Sequence, residues 1–112
     1  TEKEAILSAL SHGYRRFASG VFMIWYPIKG ADFADKLTAE IAALQIPATL
    51  KIEMRMRESF DGGGLAGSGL IVINPPFVLL DEMKIILPPL AKRLGLGKWG
   101  KGSADWLVQP SA

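Results

Sequence analysis

Apolar and polar residues fall into two distinct rhythms along this chain. Leu50, Ile52, Met54 and Met56 alternate with Lys51, Glu53, Arg55 and Arg57. That period of two predicts a strand over 48–57 with one buried and one charged, wet face, as at a sheet edge. Two other runs are apolar throughout. Val21 to Tyr26, closed by Pro27, predicts a buried strand over 21–26, and Leu70 to Ile73 predicts another over 69–74. Helical spacing separates them. Ile6, Leu7, Leu10, Tyr14 and Phe17 share one face of a helix over about 2–18, opened by a Thr1–Glu4 capping box and ended by Gly20. Phe33, Leu37, Ile41 and Leu44 space out a helix over 32–45, with Asp32 near its start. A third helix spans about 78–94, interrupted at Pro88-Pro89. Ile28–Gly30, the Gly-rich stretch 58–67 and the stretch 95–102, with Lys98, Trp99 and Lys101, read as loops. Ala104–Val108 reads as a short final strand.

These pieces predict an α/β fold. Strands 21–26 and 48–57 flank a helix, so as a βαβ unit they should run parallel. Strand 69–74 returns through a loop and should be antiparallel. It is buried like a central strand, which inserts it between the other two. That order matches the closing, C-terminal half of a Rossmann-like methyltransferase sheet.

Composition adds limits. The chain has 112 residues, enough for one domain or a fragment of one over 1–112. It is 49% hydrophobic with a mean hydropathy of +0.22, so some apolar surface should rest against something else, or support self-association. No apolar run reaches membrane length, and no signal-peptide pattern is visible. With no cysteine, disulfides and thiolate metal sites are excluded, and a cytoplasmic location is expected. A net charge of +2 makes no argument for nucleic acid by itself. His12 stands alone, so no metal site is expected. Ser68 with His12 lacks the nucleophile-elbow motif of a triad. The chain opens at Thr1 directly into a helix, as a processed product or a piece of a longer protein would.

Four stretches together carry a resemblance: Gly13-Tyr-Arg-Arg-Phe-Ala-Ser-Gly20, Ile24-Trp-Tyr-Pro27, Gly67-Ser-Gly-Leu-Ile-Val-Ile-Asn-Pro-Pro-Phe77, and Trp106. The combination resembles the RlmJ-type family of 23S ribosomal RNA adenine-N6 methyltransferases, also labelled as proteins involved in catabolism of external DNA. The resemblance covers essentially all of this chain but only the C-terminal part of the family's length. Family members usually carry Trp where this chain has Phe77. The resemblance implies an S-adenosylmethionine cofactor, bound mainly by residues outside this chain. It also implies a catalytic Asp-Pro-Pro-Tyr motif upstream, and 23S ribosomal RNA as the partner. The chain alone should then be inactive, with no catalytic residue of its own.

Asn74-Pro75-Pro76-Phe77 looks like the amine-binding signature of such enzymes. Parallel strands of open α/β sheets place sites at their carboxyl ends, and strand 69–74 runs the other way. The competing reading is that the prolines stop a buried strand and Phe77 enters the core. By the same geometry Trp25, Tyr26, Pro27 and Lys29, with Gly67 and Ser68 in the facing loop, are the candidate substrate-binding residues. Aromatic rings there could stack on an unpaired adenine, or simply fill the core. Arg15, Arg16, Arg55, Arg57, Lys92, Arg93, Lys98 and Lys101 could contact phosphates, or be ordinary solvated positions. Two other functional classes stay open: a non-catalytic α/β binding or oligomerisation module, and a factor for use of external DNA. A nuclease version of the latter lacks the carboxylates that two metals need.

Overall fold

The computed structural model describes residues 2–17, 19–29, 33–55, 65–94 and 101–111. In chain order it contains α1 (Glu2–Arg16), β1 (Phe22–Lys29), α2 (Phe33–Ala43), β2 (Thr49–Arg55), β3 (Leu65–Ile73), α3 (Leu79–Leu94) and β4 (Lys101–Val108). The four strands form one sheet in the order β1-β3-β2-β4. Strand β3 lies between β1 and β2, where its uniform hydrophobicity places it. It is antiparallel to both, so β1 and β2 share a direction across it without touching. Every hydrogen-bonded pair among the described strands is antiparallel.

The alternating strand is not at the edge. Strand β4 is longer than expected and pairs with β2 from Lys101 to Val108, so β2 is internal. Alternation therefore misjudged the polar face of β2: Glu53 is buried at 5% exposure and Lys51 is half-buried. On one face α1 and α2 bring Leu10, Leu37 and Ile41 against Tyr26, Ile28, Ile71 and Ile73. On the other face α3 lies over β4 and β2. There Gly102 lets the helix approach so closely that a Cβ at that position would stand 2.7 Å from Leu87 Cβ.

Three further expectations are corrected. Strand β1 does not stop at Pro27 but runs on to Lys29, with Pro27 opposite Ser68. An outer strand has one unpaired side and tolerates a residue without an N–H. Helix α3 is continuous through Pro88 and Pro89. The carbonyls those prolines leave unbonded belong to exposed Lys84 and Ile85, where water can reach them. Helix α1 ends at Arg16, leaving Phe17 exposed instead of on its buried face. After α2 the chain turns through Gln45 and Ala48, both at positive φ (56° and 57°). Ala48 is fixed from two sides: its N–H donates to Gln109 O at 3.1 Å, and its carbonyl accepts from Asn74 N at 3.0 Å.

The accessible surface is 7000 Å², against about 6,000 Å² for a compact monomer of this mass. The excess is apolar in part: Val21, Met23 and Trp25 on or beside β1, and Ile85, Ile86 and Leu90 on α3, are exposed. No helix among the described residues is long and apolar enough to cross a membrane. The Thr1 cap, Asp32, Met56, Arg57, residues 58–64, Lys98 and Trp99 lie outside the described residues.

Candidate functional site

One polar row crosses the buried sheet. The registers set Tyr26 of β1, Gly69 of β3 and Glu53 of β2 side by side. With no side chain at Gly69, the Tyr26 ring lies over β3, and a Cβ there would stand 2.1 Å from Tyr26 Cζ. The phenol Oη donates to Glu53 Oε2 at 2.6 Å. The other carboxylate oxygen accepts from Arg55 Nη2 at 3.2 Å, and that guanidinium lies 3.9 Å from Asp35 at the start of α2. Burying a carboxylate is costly unless its oxygens are satisfied, and here both are. Among the described residues no buried side-chain polar atom lacks a partner.

The Tyr26 phenol is held well above the ordinary tyrosine range. Burial contributes most, followed by the hydrogen bond to Glu53 and that carboxylate's charge, with Arg55 opposing. The group is therefore a fixed hydrogen-bond donor at neutral pH and cannot serve as a base. At 1% exposure it is also closed to substrate. The row ties three strands and α2 together at one end of the sheet.

The predicted substrate-binding residues do not converge. Trp25, Pro27 and Ser68 lie on the α3 side, because Trp25 faces Leu70 and Pro27 faces Ser68 across β1 and β3. Tyr26 lies on the opposite side, in the core. Successive residues of a strand point to opposite faces, so Trp25 and Tyr26 cannot line one pocket. Trp25 is 60% exposed, so core packing does not account for it. Gly67 and Ser68 are not in a loop but inside β3. At Gly67 a Cβ would meet the Met54 carbonyl oxygen at 2.1 Å, so the missing side chain serves close strand pairing. Lys29 ends β1, and its side chain lies outside the described residues.

Asn74 to Phe77 sits at the other end of the sheet from Lys29 and Arg55, beside the first residues of β1 and β2. Asn74 has a φ of 57°, and its side-chain amide donates to Gly20 O at 3.1 Å, while its backbone N–H is bonded to Ala48. The asparagine thus straps β3 to the starts of its neighbours. Phe77 is 93% exposed, which corrects its expected place in the core. Pro76 leads into α3 by accepting from Leu79 N at 2.9 Å.

A cleft of about 500 Å³ opens between α3 and the β2–β4 end of the sheet, lined by Arg55, Pro88, Ala91, Lys101, Gly102 and Ser103. No group of three or more His, Cys, Asp or Glu among the described residues could hold a metal. Sequence reasoning missed Glu53 and Gly69 as a unit. A glycine inside a strand does mark close approach, but its partner is visible only once the register is known.

Comparison with known proteins gives a consistent set of relatives. The family model for ribosomal RNA large subunit methyltransferase D, RlmJ, matches residues 1–108. The chain is 37% identical over 108 residues to ribosomal RNA large subunit methyltransferase J of Haemophilus influenzae, covering 94% of this chain and 37% of that protein. For the Escherichia coli protein of the same name the figures are 33% identity over 108 residues, 96% and 39%. The chain therefore spans well under half the length of these curated relatives. A crystal structure of a Legionella pneumophila protein superposes with a TM-score of 0.74 at 23% identity, covering 93% of this chain and 37% of that one. That likeness concerns the fold.

Proposed function

The chain belongs to the RlmJ family of ribosomal RNA large subunit methyltransferases, and from that premise we propose that it forms the closing section of a Rossmann-like, S-adenosylmethionine-dependent enzyme that methylates adenine N6 in 23S ribosomal RNA in the cytoplasm. One observation carries this reading beyond the family match. Among the described residues strand β1 is an open edge, paired only with β3, and Val21, Met23 and Trp25 on or beside it are exposed. An unpaired edge with apolar side chains is a surface for continuing a sheet. The length that the relatives have beyond this section supplies what would continue it.

Gly67 and Gly69 do not fit a cofactor cradle. Gly67 and Gly69 are locked in strand ladders and precede no helix, whereas phosphate- and cofactor-binding turns use a strand-to-helix junction. The strand positions of these two glycines support a reading in which cofactor and catalytic contacts come from the rest of the protein, and no transfer step is assigned to residues of this section. Its part is to close the sheet and carry contacts to RNA.

The test is incorporation of a labelled methyl group into fragments of 23S ribosomal RNA. A family-length protein containing this section should place the label in N6-methyladenine, and the 112-residue chain alone should place none. Absence of label from the longer protein overturns the reading. Trp25→Ala in the longer protein should lower its thermal midpoint, since about 1–3 kcal/mol of buried apolar contact would be lost at the seam. An unchanged midpoint with a raised KM for RNA would instead place Trp25 against substrate.

A further inference from the structure

We propose that the α3-side face of β1 and β3, with the adjoining flank of α3, seats an amphipathic helix from the part of a family-length protein that this chain does not contain. This rests on the reading that such a protein completes the section, and it adds a second seam to the open β1 edge. Strand alternation turns Met23, Trp25 and Pro27 of β1, and Ser68 and Leu70 of β3, to the face that carries α3. Met23 and Trp25 are 67% and 60% exposed there, and Leu70 is half-buried. A strand added at the β1 edge brings backbone hydrogen bonds but leaves the face bare, so the edge seam does not account for these side chains. Width sets the size of the occupant. Strands lie about 4.8 Å apart and packed helices about 10 Å apart, so one helix covers about two strands. On one face α1 and α2 span the sheet from β1 to β4. On the other, among the described residues, α3 lies over β4 and β2, and the exposed pair Met23 and Trp25 marks a place for one more helix over β3 and β1. Helix α3 supplies the wall of that place. It buries Leu87 and Ala91 against the sheet, while Leu79, Ile86 and Leu90 follow at helical spacing along one flank. With the β1–α2–β2 crossover right-handed, that flank turns toward β3 and β1. Ile86 and Leu90 are 45% and 41% exposed on it. An apolar floor meeting an apolar wall takes the stripe of an amphipathic helix. More than half of each curated relative lies outside the matched section. Whatever continues the sheet at β1 arrives beside this face, and as part of the same polypeptide it pays no association entropy.

The experiment follows thermal unfolding of the family-length protein without RNA. Ile86→Glu should lower the midpoint by about 5 °C or more, because a charge enters an apolar seam. Ile85→Glu, one residue along and 74% exposed, is turned away from the sheet and should shift it by no more than about 1 °C. Glutamate is a better helix former than isoleucine, so propensity predicts no loss at either position. Met23 gives a second readout. In the native protein hydrogen peroxide should convert it to the sulfoxide roughly ten-fold more slowly than in the urea-unfolded protein. An unshifted midpoint in Ile86→Glu, equal shifts from both variants, or oxidation of Met23 at the unfolded rate overturns the proposal. Protection of Met23 that grows with protein concentration, alongside a dimer in sedimentation, gives the face to a second copy and overturns it. Protection that appears only with RNA gives the face to substrate and does the same. Should Ile86→Glu shift nothing while the wild type methylates ribosomal RNA, only the helix seat fails. Should the shift appear while the wild type places no label, the seat stands and the activity reading fails.

Discussion

Gly69→Ala should lower the thermal midpoint of the chain by about 10–20 °C, which corresponds to roughly 3–5 kcal/mol for a chain of this size. The new methyl would stand 2.1 Å from Tyr26 Cζ and 2.4 Å from the phenol oxygen, so the ring must leave its place over β3. It cannot move alone. Its hydroxyl is held by Glu53 at 2.6 Å, and its ring belongs to the cluster formed with Leu37, Ile41, Ile28 and Ile71. Displacement therefore adds the strain of overpacking to the exposure of a buried carboxylate without its donor. A double-mutant cycle separates this cause from ordinary loss of strand propensity. In a Tyr26→Leu background there is no ring over Gly69, and Gly69→Ala should become far milder. Additive effects of the two substitutions would refute the contact as the cause.

Tyr26→Phe should cost about 1.5–3 kcal/mol near neutral pH, because the variant keeps the ring but leaves one oxygen of Glu53 without its donor. The same substitution should change the alkaline limb of stability. The folded phenol holds its proton well above the ordinary value of 10.0, chiefly through burial. Unfolded chains release that proton near the ordinary value. Above it the native state binds more protons than the unfolded one, so the wild type loses stability as pH rises. Below it the contribution is fully present. The gap in urea midpoint between wild type and Tyr26→Phe should accordingly be constant up to about pH 9 and narrow by about pH 11. A gap that stays constant across that range would mean that Tyr26 ionises normally in the folded chain.

Both predictions concern a row of residues that the amino-acid pattern only half revealed. Period and run length alone located three helices and the first three strands, because amphipathic spacing and uninterrupted aliphatic runs are local properties. The burial of the 69–74 run was enough to put that strand between its neighbours. The family also followed from short stretches of sequence, Gly13–Gly20, Ile24–Pro27 and Gly67–Phe77.

Which residues meet across the sheet was not legible. Glu53 read as solvated because alternation reports two faces but not whether a second layer covers the polar one. Strand β4 arrives from far along the chain and makes β2 internal, and Glu53 lies on the face toward Tyr26 and α2, not the one under α3. Trp25 and Tyr26 read as one aromatic site because they are adjacent, yet adjacency in a strand sends side chains to opposite faces. The sequence by itself determined the elements, their hydrophobic faces and the family. Only the tertiary structure decided that Tyr26 reaches Glu53 across Gly69, that Asn74 is a strap, and that Arg55 and Lys101 share a cleft. Those outcomes depend on strand register and on the approach of distant segments, which no local pattern encodes.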